Sequence, residues 1–248
     1  MEKHNHNNDT ARLGLLFRNI ILGGQDGVVN VLGIVLGVAT ATSSTHIVLL
    51  AGLAATFAES ISMAAVAYTS TRAEVEHYES EVIKQNEEIE KTPEKARQDI
   101  RKIYSDKGIS GKLLDQIVDK ISNNKKIWME TMMREELRLE NPSEGMSSVM
   151  QGIIVGFAAV VGSFVPLTPF FFLSVTQSMP LSLLASLVVL FAVGAYKSKL
   201  TSGKWLRGGF ELMIIGGVAA LAGYLVGVFF QVRDGIGVIP QPRKRQAQ

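Results

Sequence analysis

Two acidic side chains, Asp26 and Glu59, lie deep within apolar stretches of the sequence. A charged residue in such a stretch is energetically expensive and usually marks a functional site. Asp26 follows Arg18 by eight residues and Met63 precedes Arg72 by nine. Both should therefore lie about 12–14 Å inside the same membrane face, at ~1.5 Å per helical residue. Glu59 is one helical turn from Met63 on the same face, so the spacing predicts two carboxylates and a thioether at one depth.

A second group of candidate ligands lies in the charged middle of the chain, residues 72–147. Glutamates recur there every seven residues, and a pair of methionines precedes a pair of glutamates by three to four residues, a spacing that places them on one helix face. Carboxylates are hard ligands and thioethers are soft, so together they suit a borderline divalent ion better than Ca²⁺ or Mg²⁺. The candidates are Glu81, Glu87, Glu88, Met132, Met133, Glu135 and Glu136.

Ordinary structural explanations exist for the same residues. A neighbouring amide such as Asn30 could satisfy Asp26, and Met63 could be a packing methionine. An acidic stripe is often only the solvated face of a helix. Methionines beside Trp128 are often the core of a small domain. His4 and His6 are more typical of a disordered tail than of a metal site.

The elements that would position these residues are helices that cross a membrane. A spanning helix needs roughly 20 apolar residues, and backbone polar groups cannot stay unpaired in lipid. Residues 19–41, 46–68, 149–173 and 210–232 meet this length, and 181–196 is a shorter fifth stretch that its flanks would extend. The predicted class is an all-α membrane protein with five transmembrane helices and a cytosolic helical subdomain inserted between spans 2 and 3.

The second span should continue beyond the membrane. No glycine or proline occurs in the forty residues between Gly52 and Pro93, which predicts one helix of roughly 60 Å. Shorter helices are predicted at 93–104, 110–122 and 125–139, with Pro93 in a first turn and glycines between helices.

Basic residues in short loops set the orientation. They occur in the amino-terminal tail and after the fourth span, whereas the links 42–45 and 174–180 contain none. The amino terminus and residues 72–147 should therefore be cytosolic, although the basic tail 243–245 argues mildly against the opposite location predicted for the carboxyl terminus. The predicted organisation is a cytosolic tail (1–18), spans 1 and 2 (19–71), the subdomain (72–147), spans 3 to 5 (148–232) and a carboxyl-terminal tail (233–248).

Composition excludes several classes of protein. The absence of cysteine excludes disulfides and thiolate metal sites, and a net charge of +2 does not suggest a nucleic-acid partner. Asp26-Gly27 resembles the start of a phospholipid-head-group transferase motif, but the further aspartates which that chemistry requires do not follow before Glu59. The spans contain no Ser/His pair and no His-Glu-x-x-His, so we expect neither an enzyme nor a permanently bound cofactor.

Several separate motifs resemble the vacuolar iron transporter family. They are NIILGGQDGVV at 19–29, ESISMAAVAY at 59–68, EHY at 76–78, WMETMMREEL at 128–137 and VPLTP at 165–169. The resemblance covers residues 15–232 and implies a homodimer of five-span subunits that exchanges cytosolic Fe²⁺ for protons. It further implies that the ion path runs beside the first spans at the dimer interface.

The resemblance also carries residues over. It implies that Asp26 and Met63 form the intramembrane ion site. Met132, Met133, Glu136 and Glu88, and more loosely Glu81 and Asp99, would form a cytosolic site that collects metal. Gln85 and Ala96 stand where plant-type members would have glutamates, and Glu59 stands where many relatives have a small residue.

Two questions stay open at this stage. Mn²⁺, Co²⁺ and Zn²⁺ are alternative ions. A membrane-bound iron-storage or sensor protein is the alternative function, because it would use the cytosolic carboxylates without transport.

Overall fold

The computed structural model describes residues 2–142, 145–201 and 203–235, with side chains within these ranges from residue 12 to residue 231. The side chains of His4 and His6 and the whole of the basic segment 243–245 lie outside this description. The helices are α1 (Glu2–Thr42), α2 (Thr45–Lys91), α3 (Pro93–Asp106), α4 (Gly111–Ser122), α5 (Lys125–Thr131) with a π-helical turn (Met132–Glu136), α6 (Ser148–Phe172), α7 (Val175–Thr201) and α8 (Trp205–Gly235). Over the described residues the chain is helical, without strands.

Five of these helices, α1, α2, α6, α7 and α8, are long and apolar enough to cross a membrane. This confirms the predicted number of spanning helices. The short stretch predicted at 181–196 belongs to α7, which is 27 residues long because the helix extends at both flanks and includes Pro180. The link between α6 and α7 is consequently much shorter than the predicted segment 174–180.

The chain forms two compact units. The spanning unit comprises Leu13–Ala67 and the chain from Val149 onward, and the inserted unit comprises Tyr68–Ser148 together with the chain before Leu13. Helix α2 contributes to both units as one uninterrupted helix of 47 residues, about 70 Å at 1.5 Å per residue. The single helix predicted between Gly52 and Pro93 is therefore observed as part of α2.

Helix α1 packs closely against two other helices of the spanning unit. A methyl group added at Gly23 or Gly27 would lie 2.2 Å from a carbonyl oxygen of α6, and one added at Gly37 would lie 2.8 Å from the Gly223 carbonyl of α8. Such small residues let helix backbones approach where lipid supplies little driving force for association. The close contacts fix the rotation of α1, and with it the direction of its polar side chains.

Buried serines link α6 and α7 where prolines interrupt the backbone hydrogen bonding of α6. Ser182 Oγ donates to the Pro166 carbonyl over 2.7 Å, and Ser178 Oγ donates to the Pro169 carbonyl over 3.1 Å. Both serines are fully buried. Hydroxyl bonds of this kind stabilise helix pairs in an apolar environment.

The inserted unit has its own apolar core. Ile89 of α2, Ile100 of α3, Val118 of α4 and Trp128 of α5 pack around it. Asn124 caps α5 by accepting bonds from two backbone amides. The predicted helix at 125–139 is regular only to residue 131. The next turn is π-helical, with the Leu137 amide donating to the Met132 carbonyl over 3.2 Å.

Candidate metal-binding sites

The spanning unit brings Asp26, Asn30 and Glu59 together. Asn30 lies one turn after Asp26 on α1, and its Nδ2 donates a hydrogen bond to Glu59 Oε1 on α2. The Asp26 carboxyl group lies within hydrogen-bonding reach of the same glutamate. Two carboxyl groups and one amide therefore converge from two spanning helices, where isolated charges are unfavourable.

Glu59 is the centre of this group, although the sequence left its role in doubt. The sequence offered Asn30 as a partner that could satisfy Asp26, but the amide bonds to Glu59 instead. Asn30 was not among the candidate ligands. Its spacing of four residues from Asp26 was the available signal, because residues i and i+4 share a helix face. Met63 follows Glu59 by one turn on α2 and is half-buried.

The face of α1 that carries these groups is uncovered in the single chain. Leu22 and Ile34 are 47% and 38% exposed, Asn30 between them is exposed, and Asp26 is partly exposed. These four residues recur every four positions and form one stripe along the helix. Neighbouring positions of α1 pack against α6 and α8 through the glycine contacts. The stripe thus combines apolar side chains with a carboxylate and an amide.

A second group of charges lies in the inserted unit, where Glu88, Lys95, Asp99 and Glu136 converge. Lys95 Nζ, on α3, forms an ion pair with Glu88 Oε1, on α2. Asp99 and Glu136 also act electrostatically on Lys95 and add to Glu88 in raising the pKa of its ammonium. Three carboxylates, from α2, α3 and the π-helical turn, thus lie near enough to one lysine to act on its charge, and Glu88 contacts it directly.

The electrostatics of Glu136 reflect these surroundings. Partial burial raises the pKa of Glu136, and the negative charges of Asp99 and Glu88 raise it further, whereas Lys95 opposes the shift. Loss of hydration and like charges both disfavour an ionised carboxyl group. A divalent cation in place of a proton would relieve both effects.

The two methionines predicted as soft ligands are both buried. Met132 is fully buried and belongs to the apolar core with Ile89 and Trp128, while Met133 is 1% exposed. The π-helical turn that begins at Met132 takes one residue more than an α-helical turn, and such turns are frequent at functional sites. It alters the face relation between Met133 and Glu136 that a regular helix would give.

Other predicted ligands lie outside this group of charges. Glu81 pairs with Lys84, Glu87 with Lys91 and Glu135 with Lys107. The hydrogen bond from Lys84 lowers the pKa of Glu81 below its ordinary value. Exposed pairs of this kind contribute little to stability, and they engage each carboxylate away from Asp99 and Glu136.

Gln85 on α2 is a buried polar residue that was not among the predicted ligands. It precedes Glu88 by three residues on α2, is 6% exposed, and its Oε1 has no hydrogen-bond partner among the described residues. Buried polar atoms are nearly always paired, so this amide oxygen, one helical turn before Glu88, is an exception that needs an explanation. Within the part of the chain that the structure describes, no three His, Asp or Glu side chains converge closely enough to hold a metal ion as they stand.

The sequence of the chain is similar to those of known proteins over most of its length. A model of the VIT family matches residues 17–228. The chain is 31% identical over 225 residues to vacuolar iron transporter 2 of Oryza sativa subsp. japonica, covering 90% of each protein. It is 31% identical to vacuolar iron transporter 1 of Arabidopsis thaliana, over 90% of this chain and 89% of that protein. It is 30% identical to the vacuolar iron transporter of Plasmodium falciparum, over 92% of this chain and 86% of that protein.

Proposed function

The chain belongs to the VIT family, and we propose on this basis that it is a membrane transporter that removes Fe²⁺ from the cytosol in exchange for protons. Mn²⁺ is a second proposed cargo, because the carboxylates of the same group suit it. The names of the relatives support iron transport. The direction of transport is proposed from the basic residues that flank the spans, and the exchange for protons from the carboxyl groups of Asp26 and Glu59.

The observation that carries the proposal is the contact of Asp26 and Asn30 on α1 with Glu59 on α2. Two carboxyl groups inside spanning helices are costly unless a cation compensates them. A passing divalent ion supplies that compensation, and the thioether of Met63, one turn from Glu59, adds a softer ligand. The group therefore suits an ion that pauses within the membrane.

Exchange follows from the chemistry of the same side chains. A carboxyl pair within hydrogen-bonding reach can hold a shared proton, or it can ligate a metal ion, but it cannot do both at once. Protons arriving from the far side of the membrane would displace the metal, and metal arriving from the cytosol would displace protons. This competition is the proposed basis of coupling.

We propose that a second copy of the chain covers the stripe of Leu22, Asp26, Asn30 and Ile34. The apolar members could face lipid, but the carboxylate and the exposed amide between them need polar partners. A two-fold axis beside α1 would bring two copies of the stripe together and double the number of ligands. The proposed assembly is therefore a homodimer with its ion path between the first spans.

The inserted unit is proposed to be cytosolic and to collect metal. Its placement rests on the basic residues that flank the spans on that side. Glu88, Asp99 and Glu136 would supply oxygen ligands and the open amide oxygen of Gln85 a fourth. Met133 is the better candidate of the two for a sulfur ligand, because Met132 is part of the apolar core.

The decisive experiment is transport by the purified protein in sealed vesicles. Addition of Fe²⁺ should drive proton movement in the opposite direction, recorded with a pH-sensitive dye. Asp26→Asn should abolish this flux, because an amide cannot exchange a proton for a metal ion. Glu211→Gln is the matched control: Glu211 is the acidic residue near the start of α8, beside Lys204 and Arg207, and its replacement should leave the flux unchanged. Full flux with Asp26→Asn would refute the assignment.

The alternative function, iron storage or sensing without transport, is separated by the same assay. The inserted unit would then bind metal while the vesicles showed no metal-driven proton flux. The contact between Asp26 and Glu59 favours transport, because a storage protein has no need of two carboxyl groups within its spans.

A further inference from the structure

Lys95 is a cation placed among the side chains that would bind a cation. Its ammonium forms an ion pair with Glu88 Oε1 and experiences the charges of Asp99 and Glu136. These are the three carboxylates proposed above as oxygen ligands. The lysine therefore already neutralises part of the charge that attracts a metal ion.

The position of Lys95 is not explained by the stability of its helix. It is the third residue of α3, which begins at Pro93. A positive charge in the first turn of a helix opposes the helix dipole, whereas Glu94 beside it is favourable there. The ammonium end of the pair with Glu88 is also open to water, with the Lys95 side chain 66% exposed and that of Glu88 25% exposed, and solvent screening weakens such a pair.

We propose that Lys95 is a built-in competitor of the metal ion, occupying Glu88 when the inserted unit is empty and leaving when a divalent ion binds. This rests on the proposed function of the inserted unit as a metal-collecting site. The carboxylate of Glu88 that accepts the ammonium hydrogen bond is also one of the proposed metal ligands, so the ammonium and the ion compete for it. The lysine stem is flexible and exposed, so the ammonium can swing into solvent.

The consequence is a site of moderate rather than maximal affinity. To bind, a metal ion must displace the Lys95 ammonium from Glu88, and the ammonium then repels the bound ion from nearby. When the ion leaves, the ammonium returns and again pairs with Glu88. A site that collects ions for transport has to release them, and a tethered competitor lowers the cost of release. Lys95 would thus set the range of metal concentration over which the unit fills.

The test measures Mn²⁺ binding to the full-length protein in detergent, with the free ion quantified by electron paramagnetic resonance. Asp26→Asn is present throughout, so that the intramembrane group does not contribute. Lys95→Met should tighten binding about tenfold or more at low salt, because a unit charge next to the ion is removed, and the gain should shrink at high salt. Lys95→Arg retains the charge and should bind as weakly as the parent protein.

Lys125→Met is the matched control. Lys125 ties α5 to α2 through Glu90, just as Lys95 ties α3 to α2, but its ion pair is with Glu90 rather than with the proposed ligand Glu88. Its replacement should leave Mn²⁺ affinity unchanged. Equal affinities for Lys95→Met, Lys125→Met and the parent protein would overturn the inference and make Lys95 a purely structural tie.

A second measurement follows the ammonium itself. Reductive methylation with ¹³C labels the lysines without removing their charge, and the Lys95 signal is identified by its loss in Lys95→Arg. Zn²⁺ should move that signal towards the position of a free lysine, while the Lys125 signal stays in place. An unmoved Lys95 signal at saturating Zn²⁺ would contradict displacement.

Glu136→Gln separates failure of this inference from failure of the proposed function. If the parent protein binds Mn²⁺ and Glu136→Gln weakens binding, the metal site stands and the Lys95 variants alone decide the inference. If Glu136→Gln leaves the binding unchanged, the inserted unit is not the proposed metal site and both proposals fall.

Discussion

Gly27 offers a direct test of how α1 is held beside the intramembrane carboxylates. A methyl group added at Gly27 would lie 2.2 Å from the carbonyl oxygen of Ala159 and 2.8 Å from Ser163 Oγ on α6. Gly24, three residues earlier on the same helix, has only one atom near its added methyl group, the Ala158 oxygen at an ordinary 3.7 Å. Both substitutions to alanine add the same methyl group to α1, and only the space available to that group differs.

The expected difference in melting temperature between the two variants depends on helix propensity and on overpacking. Both replacements gain about 1 kcal/mol of helix propensity, so that gain cancels in the comparison. Overpacking costs about 1–3 kcal/mol, and the Gly27 variant should be near the upper end because the obstructing atom is backbone rather than a side chain that can rotate. With about 2–4 °C per kcal/mol for a chain of this size, Gly27→Ala should melt about 6–12 °C below Gly24→Ala.

Thermal unfolding of both variants in the same detergent, followed by the loss of soluble protein on size-exclusion chromatography, measures this difference. Gly24→Ala should melt at or slightly above the temperature of the parent protein. Equal melting temperatures for the two variants would show that α1 and α6 do not approach as closely as described. These contacts would then not fix the direction of Asp26.

Two further predictions concern a hydrogen bond and a titrating group. Ser182→Ala removes the bond to the Pro166 carbonyl and should cost about 0.6–1 kcal/mol of unfolding free energy. The buried hydroxyl of Ser186 has no hydrogen-bond partner within the described part of the chain, so Ser186→Ala should be neutral or stabilising. Equal unfolding temperatures for the two variants would contradict this. The pKa of Glu136 is raised above its ordinary 4.5 by burial and by neighbouring carboxylates, so the folded protein holds that proton more tightly than the unfolded chain does. The free energy of unfolding should therefore fall as pH rises from about 4.5 through the raised pKa. Glu136→Gln should reduce this fall when the melting temperature is recorded against pH with a chelator present. An unchanged pH profile in the variant would refute the shift in pKa.

Much of the fold could be read from the sequence because spanning helices are determined locally. Length and apolar character decide whether a segment crosses a membrane, and the five helices follow from them. The uninterrupted α2 follows from the absence of glycine and proline after Gly52. The family, too, follows from short motifs that are visible in the sequence, and the match over residues 17–228 confirms it.

The helix spacing alone did not distinguish among the acidic residues of α2, although the family resemblance favoured Glu88. Glu81, Glu87 and Glu88 all lie within eight residues of one helix, yet only Glu88 is paired with Lys95 near Asp99. Which of them faces α3 depends on the rotation of α2 against a core formed by three other helices. No local pattern encodes that rotation.

The sequence by itself determined that the chain has five membrane-spanning helices, a charged insertion and two intramembrane carboxylates, because apolar length and charge are properties of single segments. The tertiary structure decided that Asn30 bonds to Glu59, that Met132 belongs to an apolar core, and that Lys95 sits among three carboxylates. These are relations between segments distant in the chain. They depend on how closely backbones pack, as at Gly27 against Ala159, and packing is decided only when all the helices are present.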